Sequence, residues 1–87
     1  MSIEKANISL KAKLRKEGKK LFANTQHKEI ILDNERFDIL FLIDGNISMQ
    51  DLAKLTNKKI NYILKHIIDL EELGVVELEL PCEDRLL

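Results

Sequence analysis

The chain has 87 residues, an apolar fraction of 45% and a charged fraction of 33%. This is one domain with material for one small core, and wholesale disorder is excluded. No apolar run approaches the roughly 18 residues of a membrane span, and Met1-Ser2-Ile3-Glu4-Lys5 is no secretory signal. One cysteine, Cys82, excludes an intrachain disulfide or a multi-thiolate metal site, so the reducing cytoplasm is the expected compartment. The net charge of −1 is unevenly spread. Residues 1–31 carry eight Lys or Arg against three Glu, giving +5, and residues 32–87 carry six against twelve acids, giving −6. A general DNA binder instead concentrates positive charge around its recognition helix.

Residues 7–15 alternate: Ile8, Leu10, Ala12 and Leu14 fall on one side, Ser9, Lys11, Lys13 and Arg15 on the other. Period 2 predicts a half-buried strand. Lys16-Glu17-Gly18-Lys19 reads as a turn, Lys20 to Thr25 as a returning strand, and Gln26-His27-Lys28 as a second turn. Glu29-Ile30-Ile31-Leu32 is short and apolar and reads as a third strand. The pattern predicts an antiparallel meander over about residues 8–32.

The period then becomes helical. Asn34 is the expected N-cap of a first helix carrying Phe37, Leu40, Phe41 and Ile43. Asp44-Gly45-Asn46 ends it, Gly45 suiting a left-handed stop. Ser48 opens a second helix, with Asp51 as a capping acid and Leu52, Ala53 and Leu55 on its apolar side. Asn57 is the expected cap of a third helix from Lys58 to about Leu73, which Gly74 terminates. Val75 to Leu80 alternates and reads as a strand, and Pro81 to Leu87 as a loose tail. The fold class expected is α+β and winged-helix-like. It has a three-stranded antiparallel N-terminal sheet, then a three-helix bundle over about residues 34–73, then a short C-terminal strand, all in one domain.

Nothing in the sequence supports catalysis. His27 and His66 lack a second ligand at metal spacing, Cys82 has no neighbouring base, and the three glycines are isolated at element boundaries. No cofactor is expected, and the chain reads as a binding module rather than an enzyme. In the third helix Ile60, Ile63, Ile67 and Leu70 form a core stripe, and Leu64 and Ile68 on one flank, with Tyr62 and Leu73 on the other, widen the apolar arc to about 240°. Cover by the N-terminal sheet is one explanation. The other is that Leu64 and Ile68 wall a groove for a ligand. As a DNA reader this helix has Lys58, Lys59, Asn61 and Lys65 but no Arg, and it carries Asp69, Glu71 and Glu72. A winged-helix transcriptional regulator is therefore the alternative reading, not the first.

The run Ile30-Ile31-Leu32-Asp33-Asn34-Glu35, then Ile39-Leu40, Leu42-Ile43-Asp44-Gly45, Ser48, Leu52-Ala53, Ile67 to Leu70 and Leu73-Gly74-Val75-Val76 resembles the PqqD family. The resemblance spans about residues 8–78. Asp33 is an insertion relative to the Leu-Asn that often closes strand three in that family. The resemblance implies a recognition element for ribosomally made, post-translationally modified peptides. Such an adaptor binds the leader of a precursor peptide as an added strand along strand three, with helix three closing the groove. It delivers the precursor to a maturation enzyme such as a radical S-adenosylmethionine enzyme, a cyclase or a leader peptidase. On this chain it implies strand-three residues Lys28, Glu29, Ile30, Ile31 and Leu32 as the pairing edge. Leu64 and Ile68 would receive apolar leader side chains, and Asn61, Lys65 and Lys28 polar or acidic ones. No membrane partner is implied. The +5 N-terminal half suits an acidic leader, which the family often has.

Overall fold

The computed structural model describes residues 3–80 and is α+β, with three helices and two three-stranded antiparallel sheets. A 3-10 turn at Ile3–Lys5 leads into β1 (Asn7–Leu10), β2 (Lys13–Glu17), β3 (Lys20–Asn24) and β4 (Glu29–Leu32). Then come α1 (Asn34–Phe41), β5 (Asn46–Ser48), α2 (Met49–Thr56), α3 (Ile60–Glu72) and β6 (Val76–Glu79). One sheet has the order β5-β1-β6 and the other β2-β3-β4.

The N-terminal meander forms, but from a different set of residues than the alternation predicts. The run 7–15 is two strands, not one. β1 leaves to pair with β6, Asn7 opposite Glu79 and Leu10 opposite Val76, and with β5, Ile8 opposite Ile47. The chain bends at Lys11–Ala12, where the Lys11 N–H donates to the Val75 carbonyl at 2.8 Å. The alternation survives the bend because Leu10, Ala12 and Leu14 all turn toward the same core. A pattern that records only which side chains are inward is blind to a change of sheet.

The turns follow their glycines. Gly45 has φ +81° at the end of α1's exit loop and Gly74 has φ +82° after α3. At Gly74 the Val75 N–H closes on the Leu70 carbonyl at 2.9 Å, and Gly74 donates to Glu71 at 3.0 Å, which satisfies carbonyls the helix end would leave open. Two caps differ from expectation. Asp33, not Asn34, is the N-cap of α1, its Oδ1 accepting from the Arg36 N–H at 2.8 Å; both types cap well, and the helix starts one residue earlier. Asn57 does not start α3. It sits in the left-handed region (φ 59°) as the C-cap of α2, which delays α3 to Ile60 with no side-chain cap. Ser48 does cap α2, accepting from the Asp51 N–H at 3.1 Å.

The core is common to both sheets and all three helices. Ile8, Leu40, Met49, Leu52, Ile63, Ile67, Leu70 and Val75 are fully buried, and Leu21, Ala23, Leu32 and Ile39 join them. α2 and α3 pack on one another, and α1 lies against β3. The expected tail, Pro81 to Leu87, and with it Cys82, lies outside the described residues.

Candidate peptide-pairing edge

Among the described residues β4 is an edge strand, with β3 as its one hydrogen-bonded neighbour in the sheet. The Thr25 N–H donates to the Lys28 carbonyl at 2.9 Å and closes a tight turn over Gln26 and His27. Antiparallel ladders alternate bonded and non-bonded pairs. From Thr25 and Lys28, that alternation makes Ile30 and Leu32 the bonded partners of Ala23 and Leu21. The backbone N–H and C=O groups of Glu29 and Ile31 are then turned to the open edge. The side chains divide the other way. Leu32 is buried in the core and Ile30 packs against it, whereas Ile31 is 71% exposed. The sequence leaves open which face of this strand is inward; the structure places Ile30 and Leu32 inward and Ile31 outward.

Beside Ile31 on the outer face runs a cross-strand row. Ile31 pairs with Phe22, and Phe22 with Arg15. The Arg15 guanidinium lies 4.2 Å over the Phe22 ring, bonds Glu17 at 2.5 Å and also bonds Glu29. Phe22 is thereby buried on a face that otherwise meets solvent.

Both ends of β4 lie near α3. After β4, Arg36 reaches α3, donating from Nε to His66 Nδ1 at 3.3 Å and from Nη2 to Asp69 Oδ2 at 2.9 Å. His66 Nε2 lies 3.3 Å from Glu35 Oε1, so an imidazole carrying its proton on Nε2 satisfies both neighbours. The Tyr62 ring meets His66 edge-on at 4.8 Å. The Tyr62 hydroxyl is buried short of a hydrogen bond. The pull of the Glu35 carboxylate on the phenol proton comes first, then burial and the charges of Glu35 and Asp33, and together they push its pKa up to about 12. Before β4, the β3–β4 turn and Leu73-Gly74 share a cleft of about 440 Å³ with Lys11, His27 and Lys28. The flank of α3 that meets α1 and the β3–β4 turn thus carries Tyr62, His66, Asp69 and Leu73.

Leu64 and Ile68, the expected groove wall, lie on the other flank of α3, the side on which the Glu71 carboxylate accepts from the Leu78 N–H of β6 at 3.3 Å. Leu64 packs on the core and Ile68 is 42% exposed. Asn61 and Lys65 are exposed on the solvent side of α3. Lys28 and Glu29 do stand with Ile30, Ile31 and Leu32, although Lys28 belongs to the turn and Glu29 is already held by Arg15. The Arg36–His66–Asp69 link escapes sequence reading because its partners are 30 and 33 positions apart; the sole hint is that His66 and Asp69 share a helix flank.

Among the described residues no group of three His, Cys, Asp or Glu is placed to hold a metal, and no helix is long and apolar enough to cross a membrane. No family model matches the chain, and neither a curated protein nor a solved structure matches it.

Proposed function

We propose that this protein is a non-catalytic adaptor that binds an extended peptide as a fourth strand on β4 and presents it to a modifying enzyme. The observation that carries the reading is the open edge of β4, where Glu29 and Ile31 offer backbone groups beside an exposed apolar side chain. Soluble proteins blunt such edges with short strands, charged side chains, Pro or bulges; β4 is short and carries Glu29, but has neither Pro nor Lys among residues 29–32. β6, which follows α3 and pairs with β1, reads as the wing of a winged-helix-like unit, with the β2–β4 meander inserted between β1 and α1. The resemblance to the PqqD family gives the ligand class: the leader segment of a ribosomally made precursor.

Magnitudes say what the edge alone can do. Four backbone bonds at about 1 kcal/mol net each reach only millimolar affinity before ordering costs. Micromolar binding needs about 8 kcal/mol, so side chains supply the remainder. Covering Ile31 contributes about 1.5–3 kcal/mol, and the α3 flank of Tyr62, His66 and Leu73 offers further contact.

The test is a titration of labelled leader peptide, encoded by a short reading frame beside the gene, against the native chain and Ile31→Pro. Proline removes an N–H that points outward, so the β3 ladder keeps its bonds and the circular dichroism is unchanged. Peptide affinity is expected to fall at least tenfold. Unchanged affinity in a folded Ile31→Pro chain refutes strand addition here. Capture of duplex DNA alone, collapsing steeply with salt, returns the chain to the regulator reading.

A further inference from the structure

The cleft at the start of β4 has a chemistry of its own. Its floor is Leu73 with Gly74, and its rim carries Lys11, Lys28 and His27. An adjoining hollow of about 470 Å³ on the other side of the Lys11 bend carries Lys13. Lys28 has no ion pair among the described residues, and Lys11 meets only Glu77, at 3.8 Å with both side chains more than half exposed. A pair so exposed is weak and gives way to a better-placed anion. Of the neighbouring acids, Glu77 faces Lys11, Glu71 is turned to β6 and Glu72 is exposed. The carbonyls of Asp69, Glu71 and Leu70 accept from Leu73, Gly74 and Val75 in turn. The lining itself carries Lys11 and Lys28 and no carboxylate, and it adjoins the start of β4.

We propose that this cleft is the subsite that selects the peptide, taking one or two carboxylate side chains just beyond the segment paired with β4. The proposal rests on the strand-addition reading and adds to it a position and a charge. Antiparallel pairs are the more stable. An antiparallel fourth strand runs from Leu32 toward Glu29, so the carboxylates lie on the C-terminal side of the paired segment. Leu73 receives the apolar stem of the acidic side chain or of its neighbour. Two exposed charge pairs at about 0.5–1 kcal/mol each correspond to a discrimination of about five- to thirtyfold.

The experiment selects binders for the full chain from a displayed library of random dodecapeptides, then measures synthetic copies by fluorescence polarisation. Binders are expected to carry an apolar, β-branched or aromatic segment followed on its C-terminal side by Asp or Glu. Exchanging those acids for Asn or Gln is expected to weaken binding about tenfold. In the Lys11→Glu/Lys28→Glu chain the difference between acidic and Asn/Gln peptides is expected to vanish. Binders with neutral or basic C-terminal flanks overturn the subsite, as does an acid preference that survives the charge reversal. Those outcomes leave strand addition standing if the same peptides lose affinity for Ile31→Pro. Acid-dependent binding that ignores Ile31→Pro removes the strand reading and with it the assigned position, and a library that yields no binder removes both.

Discussion

Tyr62 is the only tyrosine in the sequence, so its titration is read directly by near-ultraviolet absorbance. The phenol ionises near 10 in a free chain and is held up to about 12 in the fold. A raised folded value means that the neutral form is favoured by folding. The associated stability is complete below pH 10 and is lost as pH rises toward 12. The native chain is expected to show an absorbance midpoint near 12 and an alkaline loss of thermal stability from which Tyr62→Phe is exempt. Neighbouring His66 serves the same junction from the other side: it joins Glu35 to Arg36, and Arg36 to α3, with only 13% of its side chain exposed.

The helices and the glycine stops were legible because each is written locally, whereas the stop of α2 at Asn57 read as the start of α3. Ser48 and Asp51, the i, i+3, i+4 run of Ile60, Ile63, Ile67 and Leu70, and the glycines at 45 and 74 need nothing beyond a few neighbours. Gly74→Ala tests one such stop. A methyl group there meets nothing within 4 Å, so the cost is backbone strain at φ +82° alone, and a loss of about 1 kcal/mol is expected in denaturant unfolding. What was not legible is long-range. β5 is three residues long and exists because β1 pairs with it; no period can be read over three positions. The split of the first strand depends on β6, whose partner Val76 stands opposite Leu10. The site divides along the same line. Edge residues 29–32 follow from one short apolar run. Which side of α3 meets α1 is set by how the helix rolls against β6 and α1, and its apolar arc alone singled out Leu64 and Ile68 without distinguishing that flank from the one of Tyr62, His66 and Leu73.

Two sheets over one core are expected to unfold as a single cooperative unit. Ile8 on β1 and Ala23 on β3 are both fully buried in the same cluster. Ile8→Ala is expected to cost about 2–5 kcal/mol, and hydrogen exchange should show the amides of β3 and β6 losing protection together. Separate transitions for the two sheets would contradict a shared core. The joining of β1 to β6 also keeps two tasks apart. Asn7 stands opposite Glu79, and residues 3–6 do not run on past that pair but fold back on α2, Ala6 buried and its carbonyl accepting from the Met49 N–H at 2.8 Å. This seam belongs to a different sheet from the one that ends in β4. A strand that lengthens the second sheet therefore leaves the first sheet's closure untouched.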